Sequence, residues 1–359
     1  VIDGILIDHL RINRFWARPY DLPLRRDWQS ARGGFQRRRG WLVCVEADGI
    51  SGFGDCAPIP VAGTEGFDAA ESALLAIERR APGESSDELL AMMDEGFAAV
   101  PAARFAIECA LLDLRSQARG VPLRTLLAET ASDHVAVNGI LGPLSTLGED
   151  DLQACAEAGF RVMKIKVGVD APRSELTHLT LLASSLPPET RLRLDANGAW
   201  NHKEAHLMIE RLSRLPIESL EEPLRIPDPS HLRALQSEAS FPLALDESMS
   251  DVPADADLGQ LGVRRIVIKP AVLGGVMRAL DRSTQAAKAG IEVVVTSVVE
   301  SAAGLWPTAQ LAAATGSRIP HGLATADWLA ADLGGAPRPI GGRLWLPDRP
   351  GSGFKPHPA

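Results

Sequence analysis

RVMKIKVG (Arg161–Gly168), RLRLDANGAW (Arg191–Trp200), SLEEP (Ser219–Pro223), LALDES (Leu243–Ser248) and RRIVIKPA (Arg264–Ala271) decide the fold. Each is a short apolar run ending on ionisable residues. The steps from Lys166 to Asp195, Glu221, Asp246 and Lys269 are 29, 26, 25 and 23 residues. A helix-length segment is expected after each of these runs, and a strand plus a helix takes about this much chain. Repeated units of that kind form an α/β barrel, whose strand ends gather on one face. Three carboxylates and two lysines are therefore expected to converge there.

Residue type carries the chemistry. Asp195, Glu221 and Asp246 are hard oxygen donors on adjacent strand ends, a set suited to Mg2+, or Mn2+ in its place, with positions left for substrate. Lys166 and Lys269 end the strands on either side of that trio. A lysine held in a shielded pocket near a dication loses basicity, because burial and like charge both disfavour its protonated form. A base, a metal and a carboxylate substrate suit removal of the proton α to that carboxylate. Side-chain alternation aims Glu222 and Glu247 away from the metal, into supporting or structural roles. It aims Arg193 into the barrel beside Asp195, as a partner for the carboxylates or as a substrate-facing charge. Thr296 and Ser297 end the seventh strand, where they either receive a substrate carboxylate or cap the next helix. His202 and His206 have metal-like spacing but no companion Glu, and read as solvated. Gly274–Gly275 lacks a phosphate-loop frame and reads as a close backbone approach near Lys269.

The order KxK, DxN, EEP, DES, KP resembles the enolase superfamily in its muconate-lactonising subgroup, and within it the o-succinylbenzoate synthase family. Further likeness lies in Gly40–Pro60, Val100–Leu114, Val137–Gly139, Thr296–Leu305 and Ile319–Leu329. The resemblance implies a modified (β/α)7β TIM-type barrel with an α+β capping domain. It implies Lys166 as the base, Lys164 beside it lowering its pKa, and Lys269 as the opposing cation. Asn197 and Gly322 join Arg193, Thr296 and Ser297 as implied substrate contacts. The implied reaction is dehydration of a succinyl-bearing hydroxycyclohexadiene carboxylate to o-succinylbenzoate, as in menaquinone assembly. N-acylamino acid racemisation, dipeptide epimerisation and muconate-type cycloisomerisation share the same machinery. The dipeptide epimerases carry an Asp-x-Asp near the last strand, where this chain has Asp327 alone. Five intact chemical positions argue against a non-catalytic binding barrel, since unpaired buried charges are costly. Three departures bear on substrate shape: Asp55 where the family has Glu, VAGTEGF in the glycine-rich loop, and His321 inserted in the Pro-Gly-Leu-x-Thr motif.

The whole chain is consistent with this. It has 359 residues, 45% hydrophobic and 23% charged, enough for one barrel and a smaller domain. A net charge of −9 excludes nucleic acid and anionic membranes as main partners. No apolar run reaches the length of a membrane span, and no leader pattern opens the chain. Cys44, Cys56, Cys109 and Cys155 lack paired spacing and read as reduced core residues of a cytoplasmic protein. The expected partner is a small carboxylate, and the oligomeric state stays open between monomer and homo-oligomer.

Taken in order, residues 1–128 are expected to form the capping domain, 129–326 the barrel, and 327–359 a segment returning to the cap. Strands are expected at Ile5–Leu10, Trp41–Ala47 and Gly52–Ala57, with an arginine-rich loop from Asp21 to Gly40. Arg37, Arg38 and Arg39 read there as a solvated run, or as a lid meeting an anionic substrate. Trimming Gly33–Gly40 should then weaken substrate binding with little loss of stability. Helices are expected at Phe67–Arg79, Ser86–Ala98 and Pro101–Arg119. Barrel strands should end near Val137, Lys166, Asp195, Glu221, Asp246, Lys269, Thr296 and Pro320, with seven helices between them. RLWLP (Arg343–Pro347) is expected as a strand on the capping domain, and the final GSGFKPHPA as frayed.

Overall fold

The computed structural model describes residues 10–30 and 33–358. The chain begins with a long antiparallel hairpin, β1 (Arg14–Ser30) and β2 (Gly33–Ala47), extended by β3 (Ile50–Cys56). α1 (Phe67–Arg80), α2 (Ser86–Gly96) and α3 (Pro101–Ala118) pack on this sheet, and α4 (Leu123–Leu127) follows. Ser85 and Glu88 form a reciprocal capping box that starts α2. Val43, Val45, Leu74, Ile77, Leu89, Ile107 and Leu111 build one apolar core between sheet and helices.

β4 (His134–Ala136) precedes β5 (Gly139–Pro143), α5 (Glu149–Glu157), β6 (Val162–Lys166), α6 (Pro172–Ser184), β7 (Arg191–Asp195) and α7 (His202–Leu212). Then come β8 (Ile217–Glu221), α8 (Pro229–Glu238), β9 (Leu243–Leu245), β10 (Arg265–Ile268), α9 (Pro270–Leu273) and α10 (Val276–Lys288). The last elements are β11 (Glu292–Val295), α11 (Ala302–Ala314) and β12 (Arg343–Trp345). β5 to β11 form one seven-stranded sheet in sequential order, parallel at every pairing. The eighth position is held by bridges alone: His321 pairs with Val137, and Gly322 with Thr296. These close the ring, as expected near Pro320. A second and larger core, including Ile165, Leu194, Leu220, Leu245, Ile268 and Val295, unites strands and outer helices. The β-branched runs RIVI and EVVV of β10 and β11 suit strands buried on both faces.

The structure corrects several expectations. The Ile5–Leu10 strand lies outside the described residues, Leu10 excepted. The arginine-rich loop is instead paired strand, from Arg14 opposite Glu46 to Ser30 opposite Gly33, with a register shift between Pro23 and Trp28. Prolines and arginines hide its alternation. Arg37 and Arg39 are exposed, but Arg38 is only 2% exposed. Its Nε donates to the Val299 carbonyl at 3.0 Å and its Nη1 to Pro58 at 3.1 Å, while Nη2 donates to Ala57. The solvated reading fails for this residue, and trimming Gly33–Gly40 would remove a structural clamp. Arg38→Met is accordingly expected to destabilise the fold by about 2–4 kcal/mol, because three carbonyls lose a charged donor. Urea unfolding measures this, and an unchanged midpoint contradicts it.

The first barrel strand runs on past Val137, which pairs with His321, into β5, while β4 just before it pairs with β12. Hence β12 joins the barrel side, and the chain beyond it returns to α3: Ser352 N donates to Asp113 Oδ1 at 2.6 Å. Phe354 stacks edge-on against Phe53 with centroids 5.5 Å apart. Gly351–Phe354 are buried rather than frayed. Between β9 and β10 there is no α-helix but two 3-10 turns, at Glu247–Asp251 and Leu258–Gln260. Pro253, Gly259 and Gly262 leave no helix-length run there. Gly275 (φ 155°) does make a close approach, though to α3 rather than to Lys269: a Cβ there would lie 2.1 Å from Glu108 Oε2.

Candidate active site

Parallel pairing sets the three strand ends level, with Lys166 opposite Asp195 and Asp195 opposite Glu221. A register shift between Leu192 and Arg193 is needed for the second match. Without it, the pairing of Leu192 with Ile217 would place Asp195 opposite Leu220. In β9 Ala244 lies opposite Glu221, and Asp246 comes two residues beyond it. β6 and β10 stand four places apart in the eight-position ring, so Lys164 and Lys166 approach from the side opposite Lys269.

Oxygens of Asp195, Glu221 and Asp246 lie within 4.8 Å of one another, all three residues buried. Lys164 Nζ sits 2.9 Å from Asp195 Oδ2 and also bonds Glu221. Lys269 Nζ forms an ion pair with Asp246 Oδ1 at 2.6 Å, and no other group donates to that buried oxygen among the described residues. A hard-oxygen trio with an unsatisfied lone pair fits a divalent cation such as Mg2+. Burial opposes charge on both lysines, but the carboxylates prevail: Asp195 and Glu221 hold Lys164 well above its ordinary pKa, and Asp246 and Glu247 raise Lys269. Burial raises Glu221, whereas at Asp195 the Lys164 charge overcomes burial and lowers the pKa. Lys166 has no ion pair or hydrogen bond to a side chain among the described residues.

The second carboxylates take supporting places. Glu222 has φ 43°, a left-handed turn that lets its carboxylate accept from Asp246 N at 2.7 Å and from both Ser248 N and Oγ at 2.8 Å. It thereby fixes the chain carrying Asp246. Glu247 accepts from Asn197 Nδ2 at 3.2 Å; burial and the Asp246 charge push it up to about 8. Asn197 also adopts φ 44°, with its amide donating to Asp195 Oδ1 at 3.0 Å.

These groups line a cavity of about 520 Å³, within the usual range for small-molecule sites. Asn197, Thr296, Ser297 and Gly322 line it. Thr296 Oγ1 donates to Gly322 O at 2.8 Å, and Ser297 Oγ lies 2.6 Å from Thr325 Oγ1. Arg193 does not line it. It is 0% exposed below the floor, bonded to Glu218 at 2.9 Å, Asn138 at 3.1 Å and Pro320 O at 2.9 Å. The substrate-facing reading of Arg193 is therefore set aside in favour of its partnership with acids. His321 is buried too: its Nδ1 accepts from Val295 N at 2.9 Å, and burial, then the Arg193 charge, lowers it to about 3. Asp55 accepts from Tyr20 at 2.5 Å and Ser301 N at 2.7 Å, holding the hairpin to the chain after β11.

Sequence reasoning missed much of the wall. Ile140, Leu224, Val298, Val299 and Trp328 supply apolar lining, and Arg225 a further cation. Arg225 follows a strand end as the other charged positions do, which was the available signal. Val299 carries φ 61°, unfavourable for a β-branched residue, and Arg38 binds its carbonyl. Asp327, outside the lining, pairs with Arg338.

Residues 149–359 match the family described as Enolase C-terminal domain-like. Residues 18–128 match the mandelate racemase / muconate lactonizing enzyme N-terminal domain. An o-succinylbenzoate synthase of Enterobacter sp. (strain 638) is 32% identical over 303 residues, covering 82% of this chain and 85% of the relative. That of Yersinia enterocolitica is 30% identical over 299 residues, covering 82% and 84%. The L-Ala-D/L-Glu epimerase of Bacillus subtilis, seen with bound substrate, superposes with a TM-score of 0.84 at 26% identity, covering 96% and 98%. A muconate lactonizing enzyme from Pseudomonas fluorescens gives 0.86 at 21% identity, covering 98% of both chains, which is likeness of fold.

Proposed function

The chain belongs to the enolase superfamily, in the mandelate racemase / muconate lactonizing enzyme family, and from that premise we propose that it is a Mg2+-dependent lyase of the o-succinylbenzoate synthase type. The observation that carries this reading is the opposition of Lys166 and Lys269 across the Asp195–Glu221–Asp246 trio. A divalent cation held by the three carboxylates supplies positive charge beside the substrate's carboxylate. Lys166, free of ion pairs among the described residues, takes the α proton. The C–H electrons move into the carboxylate, and Lys269 stabilises that charge from the opposite face. As the electrons return to form the ring double bond, the β C–O bond breaks. Lys166 gives its proton to the departing hydroxide, which leaves as water. Lys164, anchored to Asp195 and Glu221, holds those carboxylates in place and keeps positive charge beside Lys166. The substrate would be a hydroxycyclohexadiene carboxylate with a succinyl arm, a small anion suited to the partly apolar cavity.

Two features support this reading over dipeptide epimerisation. The curated relatives are named synthases over most of their length, and Asp327 is held by Arg338 away from the cavity, leaving it poorly placed for a peptide amine. The test uses heavy water: wild type is incubated separately with the cyclohexadiene substrate and with N-succinylamino acids, and NMR follows both. Dehydration much faster than α-deuterium exchange is the expected result. Rapid exchange of both amino-acid enantiomers with no dehydration would replace the synthase by a racemase.

A further inference from the structure

Four cationic side chains line the cavity among the described residues: Lys164, Lys166, Lys269 and Arg225. Lys164 and Lys269 are engaged by the carboxylate trio. Lys166 is assigned to proton transfer. Arg225 alone has neither task. It lies just past the end of β8 and is exposed, with no carboxylate within ion-pair distance among the described residues.

Its position is nonetheless fixed. Arg225 N donates to Trp200 O at 3.0 Å, and Leu224 bridges to Trp200, which is buried. The guanidinium uses one nitrogen, Nη2, to donate to Ala199 O at 3.1 Å. That tether joins the loop after β7 to the loop after β8 and leaves the other donors of the fork unused among the described residues. The wall also includes Leu224, Ile140 and Val298, which suit a hydrocarbon body rather than a second charge. The other ionised group outside the carboxylate cluster is Asp27 on β1, whose Oδ2 accepts from Gln36 Nε2 at 2.9 Å.

We propose that Arg225 is a specificity-determining residue that receives a second, distal carboxylate of the substrate, so that the cavity selects dianions with an apolar middle. A planar guanidinium with free donors meets a carboxylate in a paired, directional contact. The proximal carboxylate goes to the trio and the distal one to Arg225. This rests on the reaction proposed above for the identity of the proximal end, but the anion contact itself needs only binding.

The experiment is therefore a binding comparison. Calorimetry in Mg2+ measures o-succinylbenzoate and its terminal carboxamide, which differ only at the distal group, against wild type, Arg225→Gln and Arg225→Lys. An N-succinylamino acid and its terminal amide form a second pair. Wild type should prefer the dianion by about 10-fold or more. Arg225→Gln should lose that preference with unchanged affinity for the carboxamide, and Arg225→Lys should keep part of it. No preference in wild type, or the same preference in Arg225→Gln, would overturn the assignment. Dehydration is assayed separately. Failure to dehydrate with an intact, Arg225-dependent preference refutes the reaction and keeps the anion contact.

Discussion

Asp195→Asn, Glu221→Gln and Asp246→Asn are each expected to lower kcat by about 1,000-fold or more while the protein stays folded. The cause is local. Three carboxylates whose oxygens lie within 4.8 Å of one another could hold a dication, and removing one charge would weaken the hold of the other two. The fold survives because each side chain stands at a strand end above the apolar barrel core rather than in it. Asp246→Asn also frees Lys269 from its ion pair, so its effect should exceed the loss of metal affinity alone. Mg2+ titration by calorimetry and circular dichroism separate the two outcomes. A variant that binds Mg2+ as tightly as wild type, or turns over at the wild-type rate, contradicts the metal role of that residue.

The second large effect is at the lysines. Lys166→Ala should remove both dehydration and any α-proton exchange, because no other unpaired base lies on its side of the cavity among the described residues. Lys269→Ala should cost about 100-fold or more through lost charge opposite Lys166. It also leaves the buried Asp246 without its counter-ion. Lys269→Arg keeps the charge but does not readily release a proton. In a dehydration that uses one base it retains clearly more activity than Lys269→Ala. Equal inactivity of the two, with Lys166→Ala still exchanging protons, would assign the proton transfer to Lys269 instead.

The barrel was legible because its signal is local: an apolar strand ends on a charge, and the next does so again 23 to 29 residues later. That repetition located Lys166, Asp195, Glu221, Asp246 and Lys269 at once. The hairpin was not legible, because Pro19, Pro23 and the arginines of β2 mask strand alternation, and pairing with a partner strand is non-local. Burial of Arg38 depends on carbonyls at 57, 58 and 299, which no local pattern brings together. The same holds for the shift at Leu192/Arg193 that sets Asp195 against Glu221. Alternation did place Arg193 inside the barrel. It could not give depth, and depth decides that Arg193 meets Glu218 and Asn138 rather than substrate. The last segment was misread for a related reason: Ser352 and Phe354 are ordered by α3 and β3, far away in sequence.

Turnover of the proposed substrate itself decides the activity. Purified protein is given the succinyl-bearing hydroxycyclohexadiene carboxylate with Mg2+, and the aromatic product is followed by its ultraviolet absorbance and identified by mass. Steady formation of o-succinylbenzoate is expected, stopping when a chelator removes the metal and resuming when Mg2+ is restored. Substrate left unchanged in the presence of Mg2+, or product formed at the same rate in chelator, would contradict it.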